Sequence, residues 1–239
     1  MAIRSSILSI VALAIGSVTA TPLLQSRAVI AHDAVVGFPE TVPSGTAGTV
    51  YLNYKPYLHV INGCVPFPAV DAEGNTSGGL DNTGSSNGDC SSSTGQVYAR
   101  AASYNEYYAV MYSWYMPKDE PSPGIGHRHD WENAVVWLSS ESATASIVAL
   151  STSQHGGYVT TTSPSLSGTK VLVGYVSYWP LDHCLIADDS VGGTQPLIAW
   201  ESLTDAARTA LTDTDFGSAN VPFKDSAFTG NLAAAYAQL

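Results

Sequence analysis

The chain has 239 residues, of which only 12% are charged, and 20 acidic against 9 basic side chains give a formal net charge of -11. Such a chain offers no basic surface to phosphate groups, so nucleic acid is not expected as a partner. Any membrane that the protein touches must be bound through a neutral headgroup, a bridging cation or inserted apolar side chains.

The first twenty residues have the pattern of a secretory signal peptide. Arg4 precedes an apolar run from Ile7 to Ile15, and small residues at positions 18–20 then offer a cleavage site. The run is too short to span a bilayer, because a membrane helix needs roughly 20 apolar residues. We therefore expect residues 1–20 to direct secretion and residues 21–239 to form one extracellular domain.

Three cysteines, Cys64, Cys90 and Cys184, occur in this chain that we expect to be exported. Two of them are therefore expected to form a disulfide. We predict the pair Cys64 and Cys90, because it would close the base of the Gly- and Ser-rich residues 71–95, whose ordering is otherwise costly in entropy. Cys184 is then expected to be a buried, inert thiol; a reactive or intermolecular thiol is the alternative.

Residues 94–117 are rich in Tyr, Val and Ala and contain at least two predicted strands. Residues 116–126 then carry three prolines and two glycines, which predicts a stiffened loop. This loop leads into a further predicted strand at residues 131–139. Functional sites are common where an ordered loop meets a strand, so the junction is a candidate site.

The junction carries the sequence GHRHDWE at residues 126–132, an unusual concentration of polar side chains for this chain. Side chains alternate along an extended strand, so Asp130 and Glu132 would face away from His127 unless the chain bends. Gly126 makes a bend there plausible, and His127, Asp130 and Glu132 could then converge. Asp119, on the preceding loop, would supply another carboxylate.

Three carboxylates and one imidazole form an oxygen-rich set that suits Mg2+ or Ca2+ better than Zn2+. A divalent cation would also allow clustered carboxylates to remain ionised. The alternative is that these are solvated loop charges beside tryptophans that simply pack. Within the same stretch, His129 is expected to be a structural histidine and Arg128 to pair with a nearby carboxylate.

The remaining elements follow in the second half of the chain. Residues 145–153 and 170–179 are further predicted strands. Apolar residues at helical spacing predict a helix over residues 202–211 with Ser202 as its N-cap, and a second helix is predicted over residues 228–239. Together these elements predict a mainly β protein of the α+β class, in which a β-sandwich is flanked by a few helices.

The heptapeptide and the preceding MYSWYMPKDEPSPGIG resemble the signature of the necrosis- and ethylene-inducing peptide-like proteins, secreted cytolysins of plant-associated microbes. Further matching stretches run along most of the mature chain: HDAVVGFPE (32–40), CVPFPAVDAEGNTSGGL (64–80), GQVYAR (95–100), HGGY (155–158), GGTQPLIAWESL (192–203) and DFGSANVPF (215–223). The resemblance implies a β-sandwich similar to that of actinoporins. The cysteine pattern resembles the two-cysteine branch of the family, whose disulfide corresponds to Cys64 and Cys90.

The resemblance also implies a ligand set and a target. In the family, the residues that match Asp119, His127, Asp130 and Glu132 hold a divalent cation directly or through water. The implied target is the sugar head of glycosyl inositol phosphorylceramide, a plant plasma-membrane sphingolipid, with membrane rupture following in eudicot cells. Residues 109–132 resemble the fragment that plant immune receptors recognise, so such a receptor is an implied partner.

Five further residues match sugar-contacting positions of the family: Trp179, Asp182, His183, Asp71 and Asn75. For Trp179 the alternative is that it ends a core strand, and for Asp71 and Asn75 that they form an ordinary turn. Asn75 also begins an N-glycosylation sequon, and a glycan there would crowd the proposed pocket.

These features are consistent with three functions. The leading hypothesis is a secreted cytolysin that binds a sphingolipid headgroup with a cation and performs no covalent chemistry. A metal-dependent hydrolase or lyase would use the cation to polarise a phosphoryl or sugar oxygen and His127 as a general base. No Ser-His-Asp pattern, nucleophile elbow or phosphate loop supports that reading. The third hypothesis is a non-toxic family member that acts as a binding module or immune elicitor.

Overall fold

The computed structural model describes residues 27–178 and 182–239. The predicted signal peptide at residues 1–20 and Trp179 lie outside the described residues. Within the described part, the strands are β1 Val29–Ile30, β2 Tyr57–Val60, β3 Thr76–Ser77, β4 Val97–Tyr104, β5 Tyr107–Ser122, β6 Ile125–Leu138, β7 Ile147–Gln154, β8 Gly157–Thr161, β9 Leu166–Ser167, β10 Lys170–Ser177, β11 His183–Ala187 and β12 Leu197–Ala199. The helices are α1 Thr46–Asn53, α2 Asp205–Asp213 and α3 Phe228–Tyr236, with a 3-10 turn at Trp200–Ser202.

Two sheets form the body of the protein, which confirms the predicted β-sandwich architecture. The larger has six strands in the order β12-β4-β5-β6-β7-β8, all antiparallel except the β12 and β4 pair. The smaller has the order β11-β10-β2, with β9 also paired to β10. Side chains bridge the sheets: Gln154 in β7 donates to the Leu185 carbonyl in β11, and Tyr175 in β10 reaches Asp130 in β6.

The central strands β5 and β6 are covered on both faces. On the face away from the smaller sheet, the Tyr98, Trp131 and Phe223 rings pack together, with centroids 5.3 to 5.6 Å apart. Phe223 belongs to the segment between α2 and α3, so the C-terminal region forms a third layer over the sheet. Burial on two sides explains why β5 is buried without interruption from Tyr108 to Glu120.

The strands predicted in residues 94–117, 131–139, 145–153 and 170–179 are present, but the loop predicted at residues 116–126 is wrong. Strand β5 continues to Ser122 and only Pro123 and Gly124 remain as the turn into β6. Proline did not end this strand at residue 117, because the rest of the hairpin pairs around it: Met116 with Asp130, and Lys118 with Arg128.

Both predicted helices are present with corrected boundaries, and α3 ends at Tyr236 instead of residue 239. Helix α2 begins at Asp205 and its N-cap is Thr204, whose hydroxyl accepts a hydrogen bond from the Ala207 amide at 3.1 Å. Ser202, the predicted cap, instead lies in the 3-10 turn that precedes the helix. None of the helices that the structure describes is long and apolar enough to cross a membrane.

Cys64 and Cys90 form the predicted disulfide, across 26 positions of the chain. Both cysteines are fully buried, and the backbone amide of Val65 donates to the Cys90 carbonyl at 3.0 Å. Cys184 is buried in β11, as predicted, and burial raises the pKa of its thiol to about 11. A thiol with so high a pKa carries little thiolate and reacts slowly.

Cys90→Ser is expected to lower the free energy of unfolding by about 2–5 kcal/mol, because the unfolded chain regains the freedom of the loop that the bond closes. Denaturant unfolding of the oxidised protein measures the loss, and reduced wild type should lose a similar amount. Cys184→Ala is the matched control, because it removes a buried sulfur that belongs to no disulfide. An unchanged stability in both Cys90→Ser and reduced wild type would contradict a stabilising role for this bond.

Candidate functional site

The candidate site lies where the β5 and β6 hairpin meets the first residues of β11. Asp119 in β5 is the direct cross-strand partner of His127 in β6. Paired residues on neighbouring strands have side chains on the same face and in reach of each other. The His127 Nε2 atom accordingly lies 3.9 Å from Asp119 Oδ2.

The alternation of side chains along β6 is broken at His129. Residues three apart in a regular strand point to opposite faces, so His127 and Asp130 would diverge. His129 has a left-handed backbone, with φ 61°, and this break lets His127, Asp130 and Asp119 line one cavity. The predicted convergence is therefore present. Gly126, the second residue of β6, also has a positive φ, 97°, but it precedes His127; the break between His127 and Asp130 comes at His129.

A cavity of about 320 Å³ collects the polar side chains of this region. All four predicted cation ligands line it: Asp119, His127, Asp130 and Glu132. Asp182 and His183 line it as well. The other walls come from the β7 and β8 hairpin and from the C-terminal region, and include Ser153, His155, Tyr158, Asn220 and Asn231.

Asp119 is held by His183, and both side chains are only 1% exposed. The His183 backbone amide donates to Asp119 Oδ2 at 3.0 Å, and its ring Nδ1 lies 2.6 Å from Asp119 Oδ1. His183 was predicted to contact sugar. Although it borders the cavity, the geometry gives its ring a different partner, because Nδ1 is engaged by Asp119 and Nε2 is buried.

Asp130 and Glu132 are buried carboxylates, 5% and 7% exposed. Tyr175 donates a hydrogen bond to Asp130 Oδ2 at 2.7 Å, and Ser153 donates one to Glu132. Burial, followed by repulsion from Asp119, raises the pKa of Asp130 to about 7. Burial, followed by repulsion from Asp130, raises the pKa of Glu132 well above its ordinary value. The carboxylates therefore share an environment that disfavours negative charge.

The donor set of the cavity fits a hard divalent cation. Asp119, His127 and Asp182 each offer one ligand atom, and these three atoms lie within 4.8 Å of one another. Asp182, predicted as a sugar contact, therefore belongs to this group of potential cation ligands. Asp130 and Glu132 line the same cavity without belonging to that group. Most of the potential ligand atoms in the cavity are carboxylate oxygens, and Mg2+ and Ca2+ prefer oxygen ligands.

The raised pKa of Asp130 predicts a pH-dependent stability in the absence of divalent cations. Its folded pKa of about 7 exceeds the ordinary value of 3.8, so the folded protein binds this proton more tightly than the unfolded chain. The stability that this proton contributes is complete below about pH 4 and lost as the pH rises through 7. In chelator, the melting temperature is therefore expected to fall by several degrees over this interval.

Excess Mg2+ or Ca2+ is expected to reduce that fall, because a cation favours the ionised carboxylate. Melting temperatures recorded from pH 4 to 8, with chelator and with cation, make the comparison. Asp130→Asn is the control, because it removes the titrating group while keeping the size of the side chain. A wild-type profile in chelator as shallow as that of Asp130→Asn would contradict the prediction.

His129 and Arg128 have the structural roles that were predicted for them. His129 is 8% exposed, and its Nδ1 lies 2.6 Å from the Tyr115 hydroxyl. Burial, with a smaller contribution from Arg128, lowers the pKa of His129 to about 4, so this histidine is neutral at pH 7. Arg128 forms an ion pair with Asp81 and donates to the Gly78 carbonyl at 2.7 Å.

Asp71 and Asn75, two predicted sugar contacts, are not brought to the cavity. They form a turn in which Asp71 Oδ1 accepts from the Asn75 amide and Oδ2 accepts from the Asn75 side chain, both at 2.8 Å. The Asn75 side-chain oxygen also accepts from the Ala28 amide at 3.0 Å. This geometry corresponds to the ordinary-turn alternative. A glycan on Asn75 would disturb this turn, because the side-chain nitrogen that would carry it donates to Asp71.

Several residues of the site were not predicted individually as site residues. Tyr175 was predicted only as part of a strand, and Ser153 as the end of another. Asn220 and Asn231 lie more than 85 positions after Glu132 and reach the cavity because the C-terminal layer folds over the sheet. Only the matching stretches HGGY and DFGSANVPF, which include or adjoin such residues, marked these regions in advance.

Comparisons with known proteins extend these observations. The family described as Necrosis inducing protein (NPP1) matches residues 48–235. "NLP effector protein 1" of Phytophthora capsici is 52% identical over 226 residues, covering 92% of this chain and 96% of the relative. "Necrosis-inducing protein NPP1" of Phytophthora nicotianae is 50% identical over 215 residues, covering 87% of this chain and 91% of the relative.

Solved structures agree with the fold. The structure described as "Toxin fold as basis for microbial attack and plant defense" has a TM-score of 0.84 at 52% identity, covering 87% of this chain and all of the other. "NLPPya in complex with mannosamine" has a TM-score of 0.83 at 53% identity, covering 87% and 99%. "Crystal structure of non-toxic HaNLP3 protein" has a TM-score of 0.82 at 42% identity, covering 85% and 98%.

Proposed function

Because the chain belongs to the necrosis inducing protein (NPP1) family, we propose that it is a secreted toxin that binds the sugar head of a plant membrane lipid and permeabilises the membrane. The observation that carries this proposal is the acidic cavity in which Asp119, His127 and Asp182 offer a compact group of ligand atoms. NLPPya, a solved structural neighbour, was obtained in complex with mannosamine, which supports a sugar as the ligand.

The cavity suits a neutral sugar beside a divalent cation. When bound, Mg2+ or Ca2+ supplies open coordination positions for sugar oxygens. In this proposal Asp119, His127, Asp130 and Glu132 would hold the cation directly or through water. Asp182 would contact both the cation and the sugar. Carboxylate oxygens that the cation does not use can accept hydrogen bonds from sugar hydroxyls. A strongly acidic protein can thereby recognise a membrane without basic residues.

We propose glycosyl inositol phosphorylceramide as the lipid, and eudicot plasma membranes as the target. Tyr178, which directly precedes Trp179, is 59% exposed and follows the end of β10 next to the site. Aromatic side chains suit the membrane interface, since they combine an apolar body with a polar donor. We therefore propose that Trp179 approaches the membrane. The export that this target requires agrees with the disulfide and with the predicted signal peptide at residues 1–20.

We also propose that plant immune receptors recognise residues 109–132, separately from toxicity. This segment contains most of β5 and the first half of β6, and most of its side chains are buried. A receptor could therefore reach these side chains only after unfolding or proteolysis of the toxin. The solved relative described as non-toxic has the same fold, so the fold alone does not entail toxicity.

Dye leakage from lipid vesicles tests the proposed function. Purified mature protein is mixed with vesicles that contain glycosyl inositol phosphorylceramide, with vesicles that lack it, and with each in the presence of chelator. Leakage that requires both the lipid and the cation is the expected result. No leakage under any condition would refute the cytolysin proposal. Chromatography of the lipid after incubation covers the enzyme alternative, because cleavage of the headgroup would identify a hydrolase or lyase.

A further inference from the structure

Tyr175 is a fully buried side chain in β10, in the sheet opposite the hairpin that carries most of the proposed ligands. Its hydroxyl donates to Asp130 Oδ2 at 2.7 Å, across the space between the two sheets. That hydrogen bond engages one carboxylate oxygen and leaves Oδ1 for other partners. The strand partners of Tyr175 are Leu185 in β11 and Val60 in β2, so its backbone is fixed from both sides.

The ring of Tyr175 also orients a second residue of the site. It stacks on the imidazole of His183, with ring centroids 4.7 Å apart and an interplanar angle of 16°. The two residues are diagonal neighbours on antiparallel strands, since His183 pairs with Ser177, two positions along β10 from Tyr175. Diagonal pairs of this kind lie within reach when the side chains are large.

The His183 ring, held in this orientation, contacts Asp119. The ring Nδ1 lies 2.6 Å from Asp119 Oδ1, whereas Nε2 is buried and has no hydrogen-bond partner in the described part of the chain. We assign the proton to Nδ1, where a carboxylate accepts it. A side chain on Gly63 could not fit beside this ring, because a Cβ there would lie 2.4 Å from His183 Nε2. Stacking and close packing therefore hold the ring in place.

We propose that Tyr175 and His183 form a positioning pair that decides which oxygen of each carboxylate faces the cation; this rests on the proposed cation site. Tyr175 engages Oδ2 of Asp130, and His183 Nδ1 engages Oδ1 of Asp119. Neither residue needs to touch the cation. Partners that orient metal ligands in this way are as much a part of a metal site as the ligands themselves.

Isothermal titration of the mature protein with MgCl2 or CaCl2 tests the pair. Tyr175→Phe keeps the stacked ring and removes only the hydroxyl, and it is expected to weaken cation binding by about 10–100-fold. Tyr112→Phe is the matched control. Tyr112 is also fully buried and donates one hydrogen bond at 2.9 Å, but its acceptor is the Tyr51 carbonyl and not a proposed cation ligand. The control should lose similar stability and keep wild-type affinity.

Two amide variants test the second half of the pair and serve if Tyr175→Phe does not fold. The amide of His183→Asn can reach the position of Nδ1, whereas that of His183→Gln reaches toward the position of Nε2. His183→Asn is therefore expected to bind the cation more tightly than His183→Gln. Wild-type affinity in folded Tyr175→Phe would overturn the role of Tyr175, and equal affinity of the two amide variants would overturn that of His183.

Cation binding and vesicle leakage together distinguish a failure of the positioning pair from a failure of the toxin proposal. If wild type binds the cation but releases no dye from vesicles, the toxin proposal fails and the positioning pair stands. If wild type and Tyr175→Phe bind the cation equally and both release dye, only the positioning pair fails. A wild type that binds no divalent cation would overturn the pair together with the cation site.

Discussion

Asp130→Ala is expected to abolish cation-dependent leakage while leaving the sandwich folded. Asp130 is one of four carboxylates in the cavity and the partner of Tyr175, so its loss removes both negative charge and an oriented oxygen from the cation site. The fold should survive, because burial and repulsion from Asp119 already disfavour the ionised carboxylate in the cation-free protein. The measurements are vesicle leakage, cation affinity and the melting temperature in chelator.

Asp33→Ala provides a matched control, because it removes an exposed carboxylate that does not line this cavity. Asp33→Ala should cause dye leakage from the vesicles and bind the cation as wild type does. Asp130→Ala that melts near the wild-type temperature in chelator but neither binds nor lyses would support the cation mechanism. Wild-type leakage by a folded Asp130→Ala protein would refute that mechanism and leave the cavity without its proposed role.

Lys118→Met is expected to destabilise the fold by about 3–5 kcal/mol, the cost of leaving a buried charge without its partner. Lys118 and Glu120 form an ion pair whose side chains are 2% and 0% exposed. The Lys118 ammonium also donates to the carbonyls of Thr83 and Ser85, at 3.1 and 2.9 Å. These hydrogen bonds connect the loop before Cys90 to the β5 and β6 hairpin, which carries Asp119. Denaturant unfolding measures the change.

Two comparisons make the Lys118 prediction specific. The double variant Lys118→Met with Glu120→Gln should recover much of the loss, because it removes the uncompensated charge. Arg27→Met breaks an exposed ion pair with Asp213, and it should change stability by no more than about 1 kcal/mol. If Lys118→Met cost no more than Arg27→Met, the buried pair would contribute little to the stability of the hairpin.

The location of the site follows from short-range features that a sequence displays directly. GHRHDWE concentrates polar groups beside an alternating strand pattern, and residues within one heptapeptide cannot move far apart. Its carboxylates and imidazole therefore indicated an oxygen-rich cation site before any fold was known. The Cys64 and Cys90 bond was predictable for a related reason, since the Gly- and Ser-rich stretch between them needs an external constraint to become ordered.

The predicted loop was wrong because tertiary contacts override a local preference there. Three prolines predicted a loop at residues 116–126, yet pairing with β6 and burial on both faces keep β5 extended to Ser122. Asp71 and Asn75, which match sugar-contacting positions of the family, remain proposed contacts, and the structure adds that they hydrogen-bond each other and the Ala28 amide. Local composition does not record such partners, because they come from distant parts of the chain.

By itself, therefore, the sequence determined the β-rich class, the disulfide, the family resemblance and the heptapeptide that contributes His127, Asp130 and Glu132. Only the tertiary structure decided that His129 breaks the strand alternation, that Asp182 joins Asp119 and His127, and that Tyr175 and His183 contact two carboxylates from the opposite sheet. The physical reason is that periodicity and spacing report on neighbours along the chain, whereas ligand geometry depends on strands that meet only when two sheets pack face to face.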